Sequence, residues 1–124
     1  MRSTIGAPYA DSAAATMEVW RGWQHDPVPA YVIYQGEITD PDKYEQYKPL
    51  SGASIKAAGG RLIVRGGDTE SLEGEAPPGR TVVIEFPTRQ AAVDWYNSAD
   101  YVAAREIRKD AAIARMYVVD GYDG

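Results

Sequence analysis

Two charged residues in the middle of predicted strands are the first candidates for chemistry in this sequence. Glu85 lies in TVVIEFP (81–87) and Arg65 in RLIVRGG (61–67), where charged groups are seldom buried unless they are paired. Asp68 follows directly after the second of these segments. As a catalytic set, Arg65 would hold a carboxylate or an enolate, while Glu85 or Asp68 would transfer a proton. A structural ion pair and a solvent-facing position at the sheet edge are the alternatives for Glu85 and Arg65.

Tyrosines and arginines form a second group of candidates, for binding rather than for proton transfer. The chain has 9 tyrosines and 1 phenylalanine, and a buried tyrosine ring still needs a partner for its hydroxyl. Tyr34, on a predicted strand, fits a subunit interface, core packing or a pocket for a planar, partly polar ligand. Arg80 and Arg108 could bind an anionic group of a substrate through paired hydrogen bonds. Solvated or ion-paired arginines are the alternative.

The composition argues against several other kinds of site. There is no cysteine and the only histidine is His25, so neither a thiolate nor a histidine-rich metal site is expected within one chain. Phosphate-binding, dinucleotide-binding, HExxH and GxSxG patterns are absent from the sequence. We therefore expect no metal and no cofactor. Any catalysis would use Glu, Asp, Tyr or Arg side chains as acid, base or electrostatic clamp.

Charge and hydropathy limit the partners that the chain is expected to have. The formal net charge of −5 disfavours nucleic acid and anionic membranes as partners. The longest apolar stretches have the length of strands, far below the ~18–20 residues that span a bilayer. The first residues also lack the apolar core of a signal peptide. We therefore expect a soluble cytoplasmic protein that binds neither nucleic acid nor a membrane.

The elements that must position these residues follow one another in the order βαββαβ. The predicted strands cover 30–38, 61–67, 81–87 and 114–121, and the helical regions cover 40–60 and 88–112. Asp40 caps the first helix and Pro41 begins it. Pro49 predicts a kink, or two short helices over 41–48 and 51–58, and a second break is expected near Asn97. The order predicts an α+β, ferredoxin-like fold with a four-stranded antiparallel sheet.

A sheet with helices on one face leaves its other face apolar and uncovered, so we expect a second copy to bury it. In the third strand, Val82, Ile84 and Phe86 share one side, opposite Glu85. In the second strand, strict alternation places Arg65 and Leu62 on different faces of the sheet. Glu85 and Arg65 are therefore expected to share the less apolar face of the sheet.

The first 29 residues differ in composition from the rest. Ala13, Met17, Trp20 and Trp23 fall at helical spacing, and prolines then extend the chain into the first strand. We interpret residues 1–29 as an N-terminal extension with a short helix, and residues 30–124 as the folded domain. The tryptophans would pack on the core or on a partner subunit; alternatively, Trp20 and Trp23 belong to a lid over a substrate pocket.

Several motifs together resemble the DUF1330 family of the dimeric α/β-barrel superfamily. The matching segments are Tyr31, DPDKYEQY (40–47), GGRLIVRGG (59–67), LEG (72–74), Arg80, EFP (85–87), WYNSADY (95–101) and Arg108. The resemblance covers residues 30–121 and implies a ferredoxin-like protomer whose sheet packs against that of a second copy in a homodimer. It also implies a cleft between the helices and the sheet, for which the pocket candidates are Tyr44, Tyr47, Trp95, Tyr101 and Arg108.

Two classes of function follow from these expectations. The wider superfamily resembles a set of cofactor-independent monooxygenases, isomerases, cyclases and lyases that act on small aromatic or polyketide-like molecules. The alternative is a non-catalytic dimer that binds a small molecule or another protein. The enzyme hypothesis predicts a cavity of about 300 Å³ or more, with a carboxylate or a tyrosine hydroxyl reaching into it.

Overall fold

The computed structural model describes residues 28–122, which form one antiparallel sheet with helices on one side. The strands are β1 (Ala30–Ile38), β2 (Arg61–Arg65), β3 (Arg80–Phe86) and β4 (Ala112–Asp120). The helices are α1 (Pro41–Ala57), α2 (Arg89–Tyr96) and α3 (Ala99–Arg108). The strand order in the sheet is β2-β3-β1-β4. The predicted βαββαβ order and the ferredoxin-like α+β fold are therefore confirmed.

The first helix begins as predicted but does not divide at its internal proline. The Asp40 side chain accepts a hydrogen bond from the backbone N–H of Lys43 at 3.2 Å, and Pro41 occupies the first turn. The helix then continues through Pro49 to Ala57, so the two-helix alternative was wrong. Buried residues on both sides of the proline, Tyr47 and Ser51 among them, hold the helix against the sheet. That packing offsets the one backbone hydrogen bond that proline cannot donate.

The second helical region breaks at the predicted position. Thr88 caps α2 and Ser98 caps α3, and each side chain accepts a hydrogen bond from a backbone N–H three residues later, at 3.0 and 3.2 Å. The two short helices turn their apolar sides toward the sheet and α1. There Trp95 and Tyr101 are almost completely buried and their ring centres lie 4.1 Å apart. The Trp95 indole N–H donates to the Ser54 hydroxyl at 3.0 Å, which satisfies its only polar atom.

A β-bulge decides which face of the sheet carries which charge. Arg61 lies opposite Glu85 in the β2–β3 pair, but the register shifts between Leu62 and Val64. The extra residue turns Arg65 to the face that the helices cover, where it pairs with Val82. Glu85 lies on the other face, so the prediction that Glu85 and Arg65 share one face was wrong. Strict alternation fails here because it allows for no inserted residue.

The face of the sheet away from the helices stays open in the part of the chain that the structure describes. Its exposed apolar side chains include Tyr117 and Val119 of β4 and Val64 of β2, which are 53%, 47% and 39% exposed. The uncovered apolar face expected from the strand pattern is therefore present.

The predicted N-terminal extension falls almost wholly outside the described residues. Only Val28 and Pro29 of that segment are described, and they lead into β1 without regular structure. The predicted helix, Trp20, Trp23 and His25 lie outside the described range. Within 28–122, each helix is too short or too polar to cross a bilayer.

Candidate functional site

A cavity of about 330 Å³ lies between α1 and the helix-covered face of the sheet. α1 contributes one side of the cavity because Tyr44, Lys48, Ser51 and Ile55 recur every three or four residues, which places them on one face of a helix. The sheet supplies the opposite side. The residues that line the cavity are Tyr34, Tyr44, Tyr47, Lys48, Pro49, Ser51, Gly52, Ala53, Ile55, Leu62, Arg65, Arg80, Val82, Ile84 and Met116.

The charge of the cavity is opposite to that of the whole chain. Lys48, Arg65 and Arg80 line it, whereas no aspartate or glutamate of the described residues does so. Glu45 is an acid close to these cations. Its carboxylate is exposed and forms an ion pair with the Lys48 ammonium at 2.8 Å. The Lys48 hydrogen bond lowers the pKa of Glu45, and the charges of Arg80 and Arg65 add to that shift.

Arg80 lies beside an aromatic ring of α1 and is partly buried. Its guanidinium carbon lies 5.6 Å from the centre of the Tyr44 ring, within the range of a cation–π contact. Its Nε is buried and has no hydrogen-bond partner in the described structure. Within residues 28–122, no carboxylate lies at ion-pair distance from Arg80. A buried donor without a partner costs free energy.

The tyrosine hydroxyls bond to each other rather than to the backbone. Tyr44 donates to Tyr34 at 3.4 Å, and the hydroxyls of Tyr47 and Tyr101 lie 2.8 Å apart. Burial raises the pKa of Tyr44, and its hydrogen bond to Tyr34 adds to that shift. Burial also raises the pKa of Tyr101, helped by the neighbouring Tyr47. The phenols of Tyr44 and Tyr101 therefore stay protonated near neutral pH and act as hydrogen-bond donors or acceptors.

Arg108 lies behind this layer of tyrosines rather than in the wall of the cavity. Its guanidinium carbon is 5.6 Å from the Tyr34 ring centre and 5.9 Å from that of Tyr47. Like Arg80, Arg108 has a buried Nε without a hydrogen-bond partner in the described structure. Its charge opposes the rise in the pKa of Tyr101. Arg108 therefore places a positive charge beside the ring faces of Tyr34 and Tyr47.

The structure does not bring the predicted catalytic residues together. Arg65 lines the cavity. Asp68 is exposed in the long connection between β2 and β3. Glu85 lies on the open face, where its carboxylate accepts hydrogen bonds from Arg61 at 2.7 and 3.1 Å and from the Tyr31 hydroxyl at 3.3 Å. These contacts form an ion pair away from the cavity, which corresponds to the structural alternative considered for Glu85.

The predicted binding residues divide into four groups. Tyr34, Tyr44, Tyr47 and Arg80 line the cavity, while Tyr101 and Arg108 contact its tyrosines. Trp95 belongs to the core and lines a second, mainly apolar cavity of about 170 Å³. Trp20 and Trp23 lie outside the described residues.

Lys48 and Met116 are two of the cavity residues that the sequence did not predict. Lys48 lies four residues after Tyr44, so helical spacing would have placed it on the same face. Met116 lies opposite Tyr34 in the β1–β4 pair, and pairing of the two strands would have placed it there once the register was known. Among the described residues, no three His, Cys, Asp or Glu side chains gather as ligands for a metal.

The fold and the cavity define a ferredoxin-like α+β protein with a cationic, tyrosine-lined pocket between helix and sheet. Residues 29–122 match the sequence profile of the domain of unknown function DUF1330. The chain belongs to that family. Among curated proteins, none matches this sequence.

Solved structures support the same fold. The RPA0582 protein of unknown function from Rhodopseudomonas palustris is 18% identical, with a TM-score of 0.64 over 77% of this chain and 83% of that chain. Its methylated form is 20% identical, with a TM-score of 0.62 over 77% and 82%. SnoaB, a cofactor-independent oxygenase from Streptomyces nogalater, is 8% identical, with a TM-score of 0.51 over 77% and 94%. At these identities the likeness is one of fold.

Proposed function

We propose that this protein is a cofactor-independent enzyme that acts on a small aromatic or polyketide-like molecule bound in the cavity between α1 and the sheet. The observation that carries the proposal is the lining of that cavity. Lys48, Arg65 and Arg80 line a space of about 330 Å³ that no acid of the described residues lines, and within residues 28–122 only Lys48 of the three is ion-paired, with Glu45. Such a site favours a ligand that is negatively charged, or that becomes so during reaction.

The proposed chemistry passes through a resonance-stabilised anion of the substrate. Isomerisation, cyclisation, lyase chemistry and oxygenation of an enolisable compound can all begin with transfer of a proton from a carbon or a phenol of the substrate. Solvent water would accept that proton, since no carboxylate or imidazole of the described residues lines the cavity. The cations that line the cavity would stabilise the resulting oxyanion, and a protonated Tyr44 would donate a hydrogen bond to it. The same cations lower the pKa of a bound enol or phenol, which makes it easier to ionise.

Two features of the cavity support a flat, partly polar substrate. Tyr34, Tyr44 and Tyr47 present aromatic rings and hydroxyls, while Val82 and Ile84 supply apolar surface from the sheet. A planar ring can stack on the tyrosines and leave its oxygen atoms for the cations. The likeness to SnoaB is one of fold, but it makes oxygenation one of the reaction types to test.

The experiment measures proton loss from carbon directly. The purified protein is incubated in D₂O with aryl ketones and hydroxynaphthalenes, and C–H exchange is followed by NMR while an electrode records dioxygen uptake. We expect the protein to accelerate exchange for at least one compound. Arg80→Met should abolish the acceleration, and Arg89→Met should preserve it, because Arg89 pairs with Asp120 away from the cavity.

A non-catalytic binding protein is the second candidate. It is favoured by the absence of a carboxylate or imidazole from the cavity lining within the described residues, because no general base of the usual type is then available there. Ligand binding without any exchange or dioxygen uptake across the compounds would select this function and refute the enzyme.

We also propose that the working form is a homodimer joined through the open face of the sheet. That face combines apolar side chains such as Val64, Tyr117 and Val119 with the Arg61–Glu85 ion pair. It is self-complementary in charge, as a two-fold interface requires. Sedimentation should show a dimer at micromolar concentration. Tyr117→Lys should shift it toward monomer, whereas a wild type that remains monomeric would exclude this interface.

A further inference from the structure

We infer that the cavity recognises a carboxylate on its substrate, and that the guanidinium of Arg80, held in place by Gly66, is the group that binds it. This inference deepens the proposed function, on which it rests, by naming a charged group that stays on the substrate throughout the reaction. It also assigns Gly66, at the end of β2, a positioning role.

The position of Arg80 depends on an unusually close approach to the backbone. A Cβ atom added to Gly66 would lie 2.8 Å from one terminal nitrogen of the guanidinium, 2.9 Å from its carbon and 3.0 Å from Nε. The group therefore rests against the bare backbone of Gly66, while the Tyr44 ring lies 5.6 Å from its carbon. Gly66 also has a φ of +70°, a conformation that favours glycine. The Gly66 backbone and the Tyr44 ring therefore both lie against the guanidinium.

The edge of this guanidinium has the chemistry that a carboxylate needs. Nε is buried, so a ligand in the cavity reaches the guanidinium at its two terminal nitrogens. A carboxylate can accept one hydrogen bond from each of them, in one plane with the guanidinium. Arg65 and Lys48 line the same cavity and add positive potential. Glu45 does not take this place, because it is exposed and paired with Lys48.

The remainder of the cavity indicates what the carboxylate is attached to. Val82, Ile84 and Met116 extend from the sheet beside the tyrosines, so an apolar or aromatic body can be buried there. A bare inorganic anion would satisfy the guanidinium but leave this surface without contacts. We therefore assign the ligand to the class of aromatic carboxylates rather than to free phosphate or sulfate.

Calorimetric titration with matched pairs of compounds tests the assignment. The probes are benzoate and naphthalene-2-carboxylate, each compared with its neutral carboxamide, and inorganic phosphate serves as the control for general anion binding. For the wild type we expect at least one carboxylate to bind about tenfold or more tightly than its amide, and phosphate to bind more weakly than that carboxylate.

Four variants show which residues cause the preference for the carboxylate over its carboxamide. Arg80→Met should remove the preference for the carboxylate, and Arg89→Met should keep it. Gly66→Ala should reduce the preference by displacing the guanidinium. Gly74→Ala is its matched control, because Gly74 has a similar φ of +77° but open space where a Cβ would be. Thermal melts show whether the Gly66→Ala protein folds. If it does not, the comparison of Arg80→Met with Arg89→Met tests the carboxylate site.

Each outcome has a defined meaning. Equal affinity for acid and amide, a preference that survives Arg80→Met, binding of phosphate alone, or no binding of either carboxylate would overturn the inference. Acid–amide discrimination without any turnover would support the carboxylate site while the proposed enzyme fails. Turnover of compounds that lack a carboxylate, with no acid–amide discrimination, would leave the enzyme and remove the carboxylate site.

Discussion

Arg61 and Glu85 face each other across β2 and β3, and the Arg61 guanidinium donates two hydrogen bonds to the same carboxylate oxygen of Glu85. The Arg61 hydrogen bond lowers the pKa of Glu85, and the Tyr31 hydroxyl contributes to the shift. Because the folded protein holds this proton less tightly than the unfolded chain, the ionised carboxylate stabilises the fold above its ordinary pKa. That contribution is lost as the pH falls through the lowered value.

Glu85→Gln should therefore reduce the acid sensitivity of the fold. Between about pH 7 and about pH 3, the melting temperature of the variant should fall by less than that of the wild type. Glu70→Gln, in the exposed connection after β2, is the control and should follow the wild type. An equal fall for Glu85→Gln and the wild type would show that this ion pair contributes nothing to pH dependence.

Arg80→Met should separate the stability of the protein from its binding function. The substitution removes a buried donor that has no partner in the described structure and leaves a side chain of similar length. We expect the free energy of unfolding to stay unchanged or to rise by about 1 kcal/mol, while ligand binding is lost. Chemical denaturation measures the first quantity. A loss of more than about 2 kcal/mol would show that Arg80 is a structural residue.

A substitution at Gly79 tests how closely the connection between β2 and β3 packs against β1. A Cβ on Gly79 would collide with the backbone carbonyl of Gly36, next to the β1–β3 pairing of Gly36 with Arg80. Gly79→Ala should therefore cost about 1–3 kcal/mol from overpacking, in addition to about 1 kcal/mol for a side chain at positive φ.

Gly74→Ala provides the comparison for that measurement. Both glycines have a φ of +77°, but a Cβ on Gly74 would meet no atom within 4 Å. Only the backbone cost applies there, so the loss should be about 1 kcal/mol. Urea denaturation of both variants measures the difference, and equal losses would show that the close contact at Gly79 relaxes without cost.

The order of elements and much of the cavity could be predicted from sequence because they depend on local signals. The caps at Asp40, Thr88 and Ser98 are short-range patterns, and the structure shows all three. Spacing alone could place Tyr44 and Tyr47 on one face of the same helix, while their common cleft followed from the resemblance to the DUF1330 family.

The catalytic set could not be predicted in the same way because it depended on the register between strands. One inserted residue between Leu62 and Val64 turns Arg65 toward the cavity and leaves Arg61 as the partner of Glu85. Nothing in RLIVR (61–65) marks that insertion, since each residue in it is compatible with a regular strand. The position of Arg80 against Gly66 depends on a contact between segments distant in sequence, which periodicity does not encode.

Met116 should control the length of ligand that the protein accepts. It lines both the cavity of about 330 Å³ and the apolar cavity of about 170 Å³ beside Trp95. Its flexible side chain therefore lies between the two cavities and separates them. Met116→Ala should join them, at a cost of about 2 kcal/mol or more in stability because buried contacts are lost.

The joined space should favour a longer aromatic body. We expect the affinity for anthracene-2-carboxylate, relative to naphthalene-2-carboxylate, to increase in Met116→Ala. Met116→Leu keeps a side chain of similar volume between the two cavities and should leave the ratio near that of the wild type. Calorimetry on the three proteins gives the ratios directly. Because both ligands carry the same carboxylate, a change in the ratio reports on length rather than on Arg80, and an unchanged ratio in Met116→Ala would show that the two cavities do not communicate.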